Sequence, residues 1–116
     1  MLRDDAALLD LARAAHLVQS FIRGMTREAF LADLKTQSAV PHQLTVIGEA
    51  VKRLSQAFRD QHPILPWSLM AGMRDHLIHG YDAVDLDEVG KTATHAVPDV
   101  LITIKPLLPQ QPDESS

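Results

Sequence analysis

The sequence predicts an all-α protein, an up-and-down bundle of four to five helices. Apolar residues recur at spacings of three and four along most of the 116 residues, and Val and Ile do not alternate with polar residues as in a half-buried strand. With 46% hydrophobic residues, the chain can bury one core but is too short for two. We therefore expect one helical domain over residues 1–108. Residues 109–116, rich in proline and polar residues, are expected to form a mobile tail.

The first two helices are predicted on either side of Gly24. A helix over residues 4–23 would bury a stripe of apolar side chains, namely Leu8, Leu11, Ala15, Val18 and Ile22. Gly24 is expected to stop this helix, since glycine readily adopts the left-handed conformation found at helix ends. Thr26 is the expected N-cap of a short second helix that carries Phe30, Leu31 and Leu34.

The third helix is predicted to begin at Pro41, because proline suits a first helical turn, where its missing N–H costs nothing. It should run to about residue 60 and bury Leu44, Val46 or Ile47, Val51, Leu54 and Phe58. Pro63 and Pro66 break the connector that follows. Pro66 can then start a fourth helix, predicted over residues 67–79 and stopped by Gly80.

A fifth helix is predicted to begin at a cap provided by Asp85 or Asp87. Pro98 should kink or split this helix, since it has no N–H to donate to the preceding turn. Its apolar stripe consists of Leu86, Val89, Ala93, Val97, Val100, Leu101 and Ile104.

Composition excludes several classes of protein. The chain has no cysteine, so a disulfide framework, a thiolate metal site and a cysteine nucleophile are ruled out. No apolar run approaches the ~20 residues that span a bilayer, and we expect a cytoplasmic protein without a membrane partner. The net charge of −4 argues against a general nucleic-acid coat protein, because non-specific affinity comes mostly from Lys and Arg on phosphates. Any contact with nucleic acid must be local.

The most informative segment is Met73-Arg74-Asp75-His76-Leu77-Ile78-His79-Gly80-Tyr81. Arg74 offers a bidentate fork for phosphate, and His79 can carry a proton near neutral pH. A tyrosine follows directly after Gly80. Together these residues suggest chemistry on a phosphodiester.

Each residue of this segment also has a structural alternative. Arg74 interrupts an apolar helix face and could form an ion pair with Glu49 or Asp75. His79 could simply cap a helix C-terminus, and Tyr81 could be a core ring that closes the helix end. His76 and His79 at spacing i,i+3 could hint at a metal, but no third ligand is obviously placed, so we predict neither a metal nor a cofactor.

Several stretches of the chain resemble the HepT family of the HEPN group of helical domains. They are Ile47-Gly48-Glu49-Ala50-Val51-Lys52-Arg53-Leu54-Ser55, the Pro66-Trp67 helix start, and Arg74-x4-His79-x-Tyr81 followed by Asp85-Leu86. The resemblance covers about residues 4–108. It implies a homodimeric helical bundle whose shared cleft holds Arg74 and His79 of both chains. It further implies a metal-independent endoribonuclease toxin, held in check by a minimal nucleotidyltransferase antitoxin (MntA-like) that transfers AMP from ATP to Tyr81.

The spacing within the motif agrees with a dimer. Five residues on an ideal helix turn the side-chain direction by about 140°, so one straight helix cannot easily aim Arg74 and His79 at one phosphate. Either the helix distorts near Gly80 or two chains contribute to the site. Without a metal, the 2′-hydroxyl of the RNA would be the nucleophile, with His79 as base and Arg74 on the phosphate. Asp75 could orient Arg74 or fix the tautomer of His79, or it could form an ordinary ion pair on the helix surface.

A second class of function stays open. The chain could be a non-catalytic helical module that binds a nucleotide or docks a nucleotidyltransferase. Its acidic charge and few aromatic residues favour this alternative, whereas the complete motif favours the ribonuclease.

Overall fold

The structure is a computed structural model that describes residues 3–63, 65, 67, 68, 70–72 and 85–109. Within these ranges every regular element is helical, and no residue lies in a strand. The predicted all-α class is confirmed. The buried apolar residues of the described helices form one continuous core.

Helix α1 (Arg3–Ile22) and helix α2 (Arg27–Ala32) match the prediction closely. Gly24 has a φ of +75°, the left-handed conformation expected at a helix stop. The Thr26 hydroxyl accepts a hydrogen bond from the Ala29 amide at 3.0 Å, which confirms Thr26 as the N-cap. Phe30 is buried, but Leu31 is only partly covered.

Helix α3 (Leu34–Arg53) begins seven residues before the predicted start at Pro41. Its N-cap is Asp33, whose carboxylate accepts from the amides of Lys35 and Thr36. The Thr36 hydroxyl also donates to Asp33 at 2.9 Å, and this bond leads the interactions that lower the pKa of the Asp33 carboxyl. Pro41 therefore lies inside the helix, and Leu34 belongs to α3 with 78% of its surface exposed. Both predictions were wrong because a strong aspartate cap outweighs an internal proline.

The predicted continuation of α3 to residue 60 was also wrong, because the chain breaks at Leu54 and Ser55. The Ser55 amide and hydroxyl both donate to the Asp4 carboxylate at 2.7 Å, and these bonds lower the pKa of Asp4. The Ser55 hydroxyl in turn accepts from the Phe58 amide and caps helix α4 (Gln56–Gln61). A contact between residues 51 positions apart thus fixes the break.

The packing of α1 against α3 is antiparallel and forms the centre of the core. The start of α1 meets the end of α3, where the Arg3 side chain donates to the Arg53 carbonyl at 2.7 Å. Two turns further along α1, Asp10 pairs with the side chain of the same Arg53 at 2.7 Å. The largest fully buried side chains of the two helices are Leu8, Leu11, Val18, Val40, Ile47 and Val51.

The last helical segment has the predicted apolar stripe and the predicted interruption. Residues 67, 68 and 70–72, the described part of helix α5, precede it in the chain. Helix α6 (Leu86–Lys91), a π-helical turn (Thr92–Ala96) and helix α7 (Val97–Ile104) then follow without a gap. The π turn ends at Ala96, two residues before Pro98, which has no N–H for a regular i→i+4 ladder. A 3-10 turn (Lys105–Leu107) ends the segment, and α7 packs against α1.

The predicted mobile tail falls almost wholly on residues 110–116, which lie outside the described residues. The division into residues 1–108 and 109–116 therefore stays a prediction.

Candidate functional site

The predicted catalytic segment lies between helices α5 and α6. Arg74, Asp75, His79 and Tyr81, together with Gly80, fall within residues 73–84, outside the described residues. The same holds for His76. The structure describes the chain directly before this segment, up to Gly72, and directly after it, from Asp85.

The start of α5 is held by an aromatic cluster. The indole Nε1 of Trp67 donates to the His62 carbonyl at 2.9 Å. The Phe58 ring lies 4.6 Å from the His62 ring and 6.2 Å from the Trp67 ring, measured between centroids. Trp67 and Met70 are 6% and 3% exposed, so both side chains are buried in the core. The cluster fixes the helix that leads into residues 73–84.

The other end of the segment is held by a helix cap. The Asp85 carboxylate accepts from the amides of Asp87 and Glu88 at 3.0 and 3.3 Å, so Asp85 is the cap of α6. Arg27, the first residue of α2, pairs with Asp87 at 2.6 Å and connects α6 to α2. This pair is largely exposed and contributes little stability of its own. Residues 73–84 thus join two anchored helices.

Three residues that could interact with the motif lie among the described residues. Glu49, the proposed ion-pair partner of Arg74, is exposed on α3 and lines a shallow depression with Asp10, Lys52 and Arg53. His62 belongs to the aromatic cluster, and His95 lies in the π turn. Within the described ranges, no group of three His, Asp or Glu side chains could hold a metal ion.

A cavity of about 480 Å³ opens between α2 and α6, close to the exit end of the segment. Its apolar lining comes from α1, α2, α6 and the turns beside them, and consists of Ile22, Met25, Phe30, Leu31, Leu86 and Ala93. Polar side chains also line it, namely Thr26, Arg27, Asp87, Lys91, Thr94 and His95. The volume and the mixture of many apolar and few charged groups are typical of a small-ligand site.

Sequence analysis did not find this cavity. Its lining comes from two stretches of the chain that are at least 55 positions apart, and most of its apolar members also fit the core stripe of a helix. The one local signal is Lys91 and His95, four residues apart and therefore on one side of a helix. A search for positive side chains at this spacing would have found the pair but not the cavity beside it.

No helix among the described residues is long and apolar enough to cross a membrane.

The described helices form a small all-helical domain, and comparison with known proteins gives its family. A family model described as "Ribonuclease HepT-like" matches residues 11–107. The chain belongs to this HepT-like family, as its resemblance in sequence predicted.

Three relatives illustrate the similarity. A protein of Thermococcus cleftensis named "Probable ribonuclease HepT" is 45% identical over 91 residues, which cover 78% of this chain and 83% of the relative. A candidate RNase of Methanocaldococcus jannaschii is 37% identical over 103 residues, or 89% and 85% of the two chains. A candidate RNase of Caldanaerobacter subterraneus subsp. tengcongensis is 36% identical over 90 residues, or 78% and 80%. No solved structure matches the chain significantly.

Proposed function

We propose that this protein is a metal-independent endoribonuclease and the toxin component of a toxin–antitoxin system. The observation that carries the proposal is membership of the HepT-like ribonuclease family over residues 11–107, a range that includes the whole Arg74-x4-His79-x-Tyr81 motif. The ribonuclease names of the relatives support the catalytic function over the alternative of a non-catalytic binding module.

The proposed chemistry uses the RNA as its own nucleophile. His79 takes the proton of a 2′-hydroxyl, and the freed O2′ attacks the adjacent phosphorus. The bond from phosphorus to O5′ breaks, and a protonated histidine returns a proton to the leaving O5′. Arg74 stabilises the charge that develops on the phosphate oxygens, and Asp75 orients Arg74 or His79. The products are a 2′,3′-cyclic phosphate and a 5′-hydroxyl.

The site is proposed to combine residues of two chains. The angular separation of Arg74 and His79 on an ideal helix supports a homodimer in which both copies of the motif face one cleft. A composite cleft also explains how a chain with a net charge of −4 could hold RNA, since two arginines would act on one strand. A chain that sediments only as a monomer at micromolar concentration would contradict this arrangement.

Control of the nuclease is proposed to act through Tyr81. A minimal nucleotidyltransferase antitoxin (MntA-like) would transfer AMP from ATP to the tyrosine oxygen, with release of pyrophosphate. The added phosphate could occupy the Arg74 fork, and the adenosine would block the approach of RNA. Modification would therefore switch the nuclease off.

The chemistry can be tested by its substrate and its products. The purified protein should cleave a single-stranded RNA in EDTA and leave 2′,3′-cyclic phosphate ends. The same oligonucleotide with 2′-deoxy sugars should remain intact, because it lacks the nucleophile. Cleavage of the deoxy substrate, or activity that requires added magnesium, would contradict the mechanism.

A further inference from the structure

The cavity between α2 and α6 contains features that the core does not require. It combines an apolar floor with a charged rim, and its volume of about 480 Å³ is far more than the ~30 Å³ that a water occupies. We propose that this cavity binds a nucleobase of the RNA strand, and that Lys91 and His95 contact the phosphate next to that base. The choice of RNA as the ligand rests on the proposed function.

The floor of the cavity suits a flat aromatic ligand. Phe30 is 7% exposed and is one of the residues that line the cavity. Met25 and Leu31 line the same cavity, and a methionine side chain adapts its shape and makes favourable contacts with aromatic rings. Every base has a π-face that can pack on such side chains, so binding of this kind does not depend on the nucleotide sequence of the RNA.

The rim of the cavity favours an anion. The charges of Arg27 and Asp87 offset one another in an ion pair, whereas Lys91 has no ion-pair partner among the described residues. His95, one helical turn further on, is exposed and likewise has no ion-pair partner in that part of the chain. The lining is therefore locally positive on a chain with a net charge of −4, which favours a ligand with phosphate over a purely apolar one.

The cavity also lies within chain reach of the proposed cleavage motif. Leu86 in its lining follows Tyr81 by five residues, and five extended residues span at most about 18 Å. One RNA strand a few nucleotides long could occupy both places. The cavity would then add affinity to a site whose own basic residues are few.

A site-specific test uses the methyl group of Met25, which is one of only four methionines. The chain is labelled with ¹³C-methyl methionine, and the Met25 signal is assigned with a Met25→Leu variant. The probe is a single-stranded RNA octamer with 2′-O-methyl groups throughout, which cannot be cleaved by 2′-hydroxyl attack. The proposal predicts that saturating octamer shifts the Met25 signal.

Filling the cavity provides the matching perturbation. Gly90 lines the cavity, and a Cβ added there would meet nothing within 4 Å, so Gly90→Trp can place a ring in the opening without backbone strain. This variant should bind the octamer roughly tenfold more weakly and lose the Met25 shift. Gly90→Ala leaves the cavity open and should bind like the parent, and thermal melts of both variants confirm that they fold.

The rim is tested by the salt dependence of binding. Lys91→Gln should reduce the slope of log affinity against log salt by about 0.7, the value for one phosphate contact on a single strand. Lys105→Gln changes an exposed lysine that does not line the cavity, so its slope should equal that of the parent.

Contrary results separate this proposal from the proposed function. RNA cleavage by the parent, combined with an unmoved Met25 signal and unweakened binding by Gly90→Trp, would overturn the cavity assignment and leave the nuclease intact. A Met25 shift in a protein that cleaves no RNA would support the cavity and refute the nuclease. AMP alone binding with the affinity of the octamer, or a loss of dimerisation in Gly90→Trp with RNA binding unchanged, would assign the cavity to another occupant.

Discussion

Trp67→Phe tests whether the aromatic cluster anchors the helix that leads into the catalytic segment. The substitution removes the indole N–H that donates to the His62 carbonyl at 2.9 Å, a bond worth about 1 kcal/mol. The smaller ring also gives up about two buried carbons at ~0.8 kcal/mol each, since Trp67 is 6% exposed. The expected loss is about 2–3 kcal/mol.

Thermal unfolding followed by far-UV circular dichroism measures this loss. For a chain of this length, the expected fall in Tm is roughly 6–12 °C. Ile102→Ala is the control, because Ile102 is 73% exposed and its truncation should change stability by less than about 0.5 kcal/mol. A Tm for Trp67→Phe within 2 °C of the parent would show that the cluster does not hold α5.

Three further substitutions test the contact between Asp4 and Ser55, the backbone conformation at Gly24, and the proposed role of Tyr81. Asp4→Ala should lower the free energy of unfolding by about 1 kcal/mol at pH 7, because it removes both hydrogen bonds from Ser55. These bonds lower the pKa of Asp4, so the difference from the parent in urea unfolding should persist above pH 4 and vanish as the pH falls further. Gly24→Ala should cost about 1–2 kcal/mol, because a φ of +75° strains alanine although space is free, whereas Gly90→Ala should be neutral or stabilising in the same urea assay. Tyr81→Phe should fold, resist AMP transfer and escape its antitoxin; an adenylyl mass gain equal to that of the parent would assign the modification to another residue.

Local sequence signals were sufficient where one helix face decides the structure. The stripe of α1, the Thr26 cap and the stripe from Val89 to Ile104 were all predicted correctly, because each depends on spacing within one segment. Pro98 was expected to interrupt its helix, and the structure has a π turn shortly before Pro98 that separates α6 from α7.

Predictions failed where a tertiary contact or a competing cap decided the boundary. Pro41 was taken as a helix start, yet Asp33 caps α3 a full two turns earlier. The break at Ser55 depends on Asp4, a residue that no local pattern connects to it. The cavity escaped sequence analysis for the same reason, since its lining forms only when α2 and α6 pack together. The motif itself was found from residue types and spacing, and its geometry stays a prediction.

RNA cleavage by the purified protein in EDTA, measured beside an Arg74→Ala/His79→Ala double variant of equal helicity, shows whether this chain is a metal-independent nuclease that uses these two residues. We expect that the parent degrades RNA without a divalent ion and that the double variant has lost this activity. Equal cleavage by both proteins would contradict the assignment of the site, and a parent that cleaves no RNA would contradict the proposed nuclease.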